Sequence, residues 1–225
     1  MSAMGTKMKT QRTTRDGEGF TWVELLVVIC LVAVVAVLLL PALAASKRKS
    51  SRIGCVSNLK ELALGFKMWA GDNGDKFPMQ MSATNDAMTK LISSGNAYAL
   101  WQTMTNELST PKILHCPADT NQIAATDFTV GFSDANISYF FSLDADETHP
   151  QTVLSGDDNL AVNGVRVQPG ILNLWTNAVV GWTKERHGGA GNVALADGSA
   201  QQLTSSSLLQ FVQQTATATN RLVIP

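Results

Sequence analysis

Gly19-Phe20-Thr21-Trp22-Val23-Glu24, followed without a break by the apolar run Leu25–Leu40, is the stretch on which the reading of this chain turns. An Asp or Glu inside a spanning helix costs roughly 2.5–3.5 kcal/mol at mid-bilayer, less near an end, and faces a partner. A carboxylate at the mouth of a membrane-length run therefore needs a role. From Phe20 to Ala45 Glu24 is the only charged residue. As a helix those 26 residues reach about 39 Å at about 1.5 Å each, more than the ~30 Å of a hydrocarbon core. Apolar side chains surround such a helix on every side, as lipid or the core of a fibre requires.

Working outward, residues 1–19 are polar and basic (Lys7, Lys9, Arg12, Arg15) and are set aside from the fold as a processing segment. An ordinary secretory signal is one alternative, because Ala42-Leu43-Ala44 after Pro41 has the small residues of a cleavage site. The apolar run is longer than the usual core of a signal, about 7–15 residues. That reading also gives Glu24 and the Gly19-Phe20 pair nothing to do. A plain anchor, with Glu24 snorkelling to the interface, is the other alternative. Charge counting does not orient the segment. The four basic residues before it are matched by Lys47, Arg48, Lys49 and Arg52 after it.

The arrangement over Gly19–Pro41 resembles the prepilin processing site of type IV pilins and type II secretion pseudopilins. The resemblance implies cleavage between Gly19 and Phe20 by a prepilin peptidase and methylation of the new Phe20 amino group. It makes Glu24 the assembly glutamate and Pro41 a helix-loosening proline. It also implies a cytoplasmic leader, a single pass through the bacterial inner membrane and a periplasmic C-terminal region. Other pilin or pseudopilin subunits are then the partners. After cleavage the Phe20 amine is cationic, and Glu24, one turn along, can pair with that amine on an adjacent subunit. In a low-dielectric fibre an unpaired charge is costly, so pairing would fix the axial register between subunits.

The chain has 225 residues and a net charge of -1, room for one ordinary domain beside the membrane segment and no overall electrostatic footprint for nucleic acid. The Lys47–Arg52 cluster reads as an anchor beside anionic headgroups. Of three cysteines, Cys30 lies in the apolar run and reads as a small hydrophobe. Cys55 and Cys116 fall outside the membrane and are candidates for a disulfide if that compartment is oxidising. Whether their Cβ atoms approach is not readable from sequence.

Residues 46–71 continue the helix in amphipathic form. Ile53, Val56, Leu59, Leu62, Ala63, Phe66 and Trp69 recur at three- and four-residue steps and predict a buried stripe. Gly54 and Gly65 each weaken the helix by about 1 kcal/mol against alanine. Gly71-Asp72-Asn73-Gly74 ends it, and Pro78 confirms the break. Cys55-Val56-Ser57-Asn58-Leu59-Lys60 through Asp72–Pro78 looks like a pseudopilin subfamily with a large C-terminal region, known from planctomycete- and verrucomicrobium-type bacteria.

Residues 79–96 show no period. Ala97–Leu108 is a predicted helix bounded by Pro111. Short strands are expected at Ile137–Leu143, Thr152–Leu154, Leu160–Val167 and Ala178–Lys184, with turns at Asp144–Asp146, Gly156–Asn159 and Pro169-Gly170. Asn192–Ala196 and Ser199–Leu203 read as a hairpin across Asp197-Gly198, a pair suited to a tight turn. A short helix at Ser205–Gln214 and a last edge strand at Arg221–Pro225 close the chain. His187 followed after nine residues by Asp197-Gly198 resembles the C-terminal motif of the same large pseudopilin-like group, and Leu114-His115-Cys116-Pro117-Ala118-Asp119 resembles one of its loop signatures.

These motifs invite catalytic and metal readings. His115 beside Cys116 has no second Cys-x-x-Cys or His pair at zinc spacing, and no base or orienter for a cysteine nucleophile is evident. His187 and Asp197 meet only if the glycine run folds back, so His187 reads as a structural residue at a strand end. Asp157 and Asp158 are calcium candidates without EF-hand spacing, raised because pseudopilins of the major class carry a C-terminal calcium site. Otherwise no cofactor is expected.

The expected fold is α+β and pilin-like: a leader to residue 19, a membrane and assembly helix over 20–45, its amphipathic continuation over 46–71, and a globular α+β region over 72–225 built on a small antiparallel sheet. The expected function is structural and non-enzymatic, a subunit of a pilus-like fibre for protein secretion or a surface role. A secreted or membrane-anchored binding module is the alternative. A membrane-anchored hydrolase using His115, His187 or Asp197 is a third.

Overall fold

The structure, a computed structural model, describes residues 19–81, 90, 92–214 and 219–225. The leader expected over residues 1–18 lies outside them. One helix, α1, runs from Trp22 to Asp72, and the chain divides into two compact units at Ala45/Ser46.

In the first unit α1 is apolar on every side. Leu25, Val28, Val32, Val35, Leu38 and Leu40 are all exposed, and the helix is long and apolar enough to cross a membrane. It continues through Pro41, whose missing N–H removes one rung of the ladder. Thr21 and Glu24 close its start as a capping box. The Thr21 N–H donates to Glu24 Oε2 at 2.8 Å, and the Glu24 N–H donates to Thr21 Oγ1 at 3.2 Å.

In the second unit α1 buries Cys55, Leu59, Leu62, Ala63, Gly65, Phe66 and Ala70. The stripe is rotated from the predicted one at its ends: Ile53 is 60% exposed and Cys55 takes its place. Gly65 serves close packing, since a Cβ there would meet Leu108 Cδ2 at 2.8 Å. The helix ends where Gly74 and Asp75 both take positive φ.

The sheet against this stripe has six antiparallel strands. In chain order the strands of the unit are β1 (Tyr139–Ser142), β2 (Val153–Asp157), β3 (Leu160–Val162), β4 (Val165–Arg166), β5 (Gly170–Trp175), β6 (Val180–Trp182), β7 (Ala190–Leu195), β8 (Ala200–Thr204) and β9 (Thr219–Ile224). The large sheet has the order β5-β9-β1-β2-β7-β8, and β4-β3-β6 form a small second sheet. Helices α2 (Pro78–Met81) and α3 (Tyr98–Thr103) precede the strands, and α4 (Ser205–Gln214) follows β8.

Both faces of the large sheet are covered, which gives three layers. Tyr139, Phe141, Leu154, Ala194 and Val223 join the core under α1. Their neighbours Phe140, Val153, Val193, Leu222 and Ile224 face Trp182 of the small sheet and Leu208 and Val212 of α4. On the α1 side the Trp101 ring meets Phe66 and Phe141 edge-on, with centroids 5.5 and 5.9 Å apart.

Several expectations are corrected. The helix predicted over Ala97–Leu108 is shorter, Tyr98–Thr103. Strand β5, which begins at the glycine of the predicted Pro169-Gly170 turn, was not foreseen. The last strand is interior, between β5 and β1, and not at an edge. Asp157, expected in a turn, ends the buried strand β2.

Candidate functional site

Two groups of residues carry chemistry, one in each unit. In the first, Gly19 and Phe20 precede α1 in irregular backbone, both exposed, and Phe20 presents 79% of its surface. Glu24 is exposed, and its carboxylate accepts from the Thr21 N–H and hydroxyl, both at 2.8 Å. Within a single chain the residue thus caps its own helix. The Thr-x-x-Glu signature was present in the sequence and went unused there.

In the second unit Cys55 of α1 is disulfide-bonded to Cys116, with Cα atoms 5.1 Å apart, and both are fully buried. The imidazole of His187 lies against this bond. Its Nε2 is 3.5 Å from Cys116 Sγ and 3.4 Å from Asp157 Oδ2, and the side chain is 1% exposed. The His187 backbone takes φ +52°, continued by positive φ at Gly188 and Gly189. These three residues form the left-handed loop that turns the ring inward. Arg52 Nη2 donates to the His187 carbonyl at 3.3 Å. Asp157 Oδ2 accepts from the Asn192 N–H and Nδ2, both at 2.8 Å.

A buried arginine ties the loops together. Arg186 pairs with Asp119 Oδ2 at 3.1 Å and with the Asp158 carboxylate, and Nη1 donates to the Ser138 carbonyl at 3.2 Å. Asp119 also accepts from the Ser138 hydroxyl at 2.8 Å, and its N–H donates to the Cys116 carbonyl at 2.8 Å. Removing one partner of such a buried pair typically costs about 3–5 kcal/mol, because the other charge is stranded. The Cys116-Pro117-Ala118-Asp119 turn and the Arg186–Gly189 loop are therefore clamped on each other. Nothing in the sequence marked Arg186 for this role, since its partners lie 28 and 67 positions away.

Electrostatics follow from burial. Burial pushes the Asp157 carboxyl up to about 6, against the pull of Arg186 and the Asn192 donors. Burial, helped by Arg52 and Arg186, pushes His187 down to about 4. At neutral pH the pair is a neutral imidazole facing a carboxylate. Burial likewise raises Tyr139 well above the ordinary phenol range, and its hydroxyl accepts from Asn58 Nδ2 at 3.4 Å.

The sequence candidates therefore sort differently from their spacing. His187 meets Asp157 and Cys116, whereas Asp197 sits exposed at the β7–β8 turn, accepting from the Ser199 N–H at 2.8 Å. Gly198 takes φ +90° in that turn. His115 points elsewhere, with Nε2 3.2 Å from the Gln122 carbonyl. Asp157 and Asp158 do not fit calcium, because Asp158 is held by Arg186 and the groups beside Asp157 are two sulfurs and an imidazole, not the about six to eight oxygens that calcium takes.

In comparisons with known proteins, no family model, curated sequence or solved structure matches the chain, and the long apolar N-terminal helix with its antiparallel sheet is consistent with a pilin-like architecture.

Proposed function

We propose that this chain is a structural subunit of the pilin or pseudopilin kind, held in the bacterial inner membrane, cleaved after Gly19, methylated on Phe20 and added to a pilus-like fibre for protein secretion or a surface role. The observation that carries the reading is Glu24: one carboxylate on a helical surface that is otherwise apolar from Phe20 to Ala45 and exposed all round. Glu24 stands four positions after Phe20, whose amine cleavage would free. In a fibre that amine on a neighbouring subunit neutralises the carboxylate, and apolar helix packing supplies cohesion. Prepilin peptidase and sibling subunits are the partners, and the chain itself catalyses no reaction.

Expression with and without a prepilin peptidase, followed by mass spectrometry of the intact chain and its first peptide, tests this. The reading expects peptidase-dependent loss of residues 1–19 and an N-methylated Phe20. A product starting near Ala45 would point to the secreted module, and an uncleaved chain in the presence of active peptidase to a simple anchor.

A further inference from the structure

The four side chains around the Cys55–Cys116 bond offer the donor set of a zinc site: two sulfurs, one imidazole nitrogen and one carboxylate oxygen. Their ligand atoms all lie within 4.8 Å of one another. Around a tetrahedral zinc ion, with bonds of about 2.0–2.3 Å, neighbouring ligand atoms stand about 3.3–3.8 Å apart. His187 Nε2 already has those spacings to Cys116 Sγ, 3.5 Å, and to Asp157 Oδ2, 3.4 Å. The 3.4 Å between Nε2 and Asp157 Oδ2 is longer than a good N–H···O hydrogen bond. Asp157 Oδ1 is buried with no hydrogen-bond partner.

We propose that once the Cys55–Cys116 bond is open, Cys55, Cys116, Asp157 and His187 bind one Zn2+. Opening takes two electrons and two protons from a dithiol donor, which leaves as its own disulfide. The two cysteine thiols then release their protons to solvent as the ion binds. His187 gives its Nε2 lone pair and keeps its proton on Nδ1, and Asp157 binds as the carboxylate. Outer contacts are in place: Asn192 holds the Asp157 carboxylate and Arg52 holds the His187 backbone. Disulfide and ion compete for the same two sulfurs, so the site is a redox-gated one. Either occupant ties α1 to the turn that carries Cys116. The sequence hid this set because its third and fourth ligands lie 41 and 71 positions beyond Cys116.

The test uses the full chain in detergent with Cys30→Ser, which removes the exposed third thiol. The chain is reduced anaerobically with a phosphine and titrated with Zn2+, and with Co2+ as a spectroscopic probe. The proposal expects one ion per reduced chain, thiolate-to-cobalt charge transfer with the visible bands of a tetrahedral ion, and no such binding by the oxidised chain. His187→Asn, chosen because asparagine tolerates positive φ, and Asp157→Asn should each weaken Zn2+ binding by about ten-fold or more. If the reduced chain loses its near-ultraviolet circular dichroism, Zn2+ should restore it in the unsubstituted chain and not in the variants. No binding by the reduced chain, equal binding by the oxidised chain, or affinity unchanged in both variants would overturn the proposal.

Discussion

Asp157 and His187 face each other at 3.4 Å, and burial moves their protonation in opposite directions. Asp157 rises to about 6, so the folded chain holds a proton there that the unfolded chain has lost, and this contribution to stability falls as pH rises from about 4 to about 6. His187 drops to about 4, so the unfolded chain binds the extra proton, and this contribution rises over a similar window. In the disulfide-closed chain, where no ion can seat, the two slopes oppose each other. Single substitutions should unmask them. Thermal melts of His187→Asn between pH 4 and 6 should show stability falling with pH, by up to about 1.4 kcal/mol per unit. Asp157→Asn should show stability rising with pH. Identical profiles for both variants would contradict the assignment. At this scale the sequence marked His187, Cys116, Cys55 and Asp157 one by one or in other pairings, but not that the four meet. Asp157 reaches His187 only because β2 lies beside β7, a pairing that residue spacing does not encode.

At the scale of elements, α1 and the β7–β8 hairpin were legible because their signals are local: a three- and four-residue stripe, and Asp-Gly between two short strands. Strand β5 was not, since Pro169-Gly170 reads as a turn and Ile171-Leu172-Asn173-Leu174-Trp175 does not alternate cleanly. Strand β1 was legible at Ile137–Leu143 from its aromatic and β-branched residues, although burial on both faces leaves Tyr139-Phe140-Phe141 without a period of two. The capping box at Thr21-x-x-Glu24 was legible but overshadowed by the functional reading of Glu24. Packing between layers gives a paired prediction on one substitution type. A Cβ on Gly191 of β7 would lie 2.5 Å from the Trp182 ring, with both residues buried, so Gly191→Ala should cost about 1–3 kcal/mol. Gly71, in the last turn of α1, has nothing within 4 Å of such a Cβ, so Gly71→Ala should stabilise by about 0.5–1 kcal/mol. Melting temperatures of the two variants against the unsubstituted chain check this. Shifts of the same sign would show that the steric account of the β6–β7 layer is wrong.

At the scale of the whole molecule, the division at Ala45/Ser46 separates two kinds of cohesion. The second unit is held by its own core, its disulfide and its buried ion pairs. The first exposes its apolar surface among the described residues. On the fibre reading, lipid covers it before assembly and other subunits cover it afterwards. On that same reading Glu24 adds little to insertion, because the run behind it is long enough to span the bilayer alone. The proposed fibre would instead take its register from Glu24, because only that carboxylate distinguishes one axial position from the next. The most direct measurement compares Glu24→Ala with the unsubstituted chain in cells that carry the assembly machinery, scoring membrane-inserted subunit and sheared fibre separately. The account predicts normal insertion with fibre lost or strongly reduced. Fibre at the unsubstituted level, from Glu24→Ala subunits inserted normally, would contradict it.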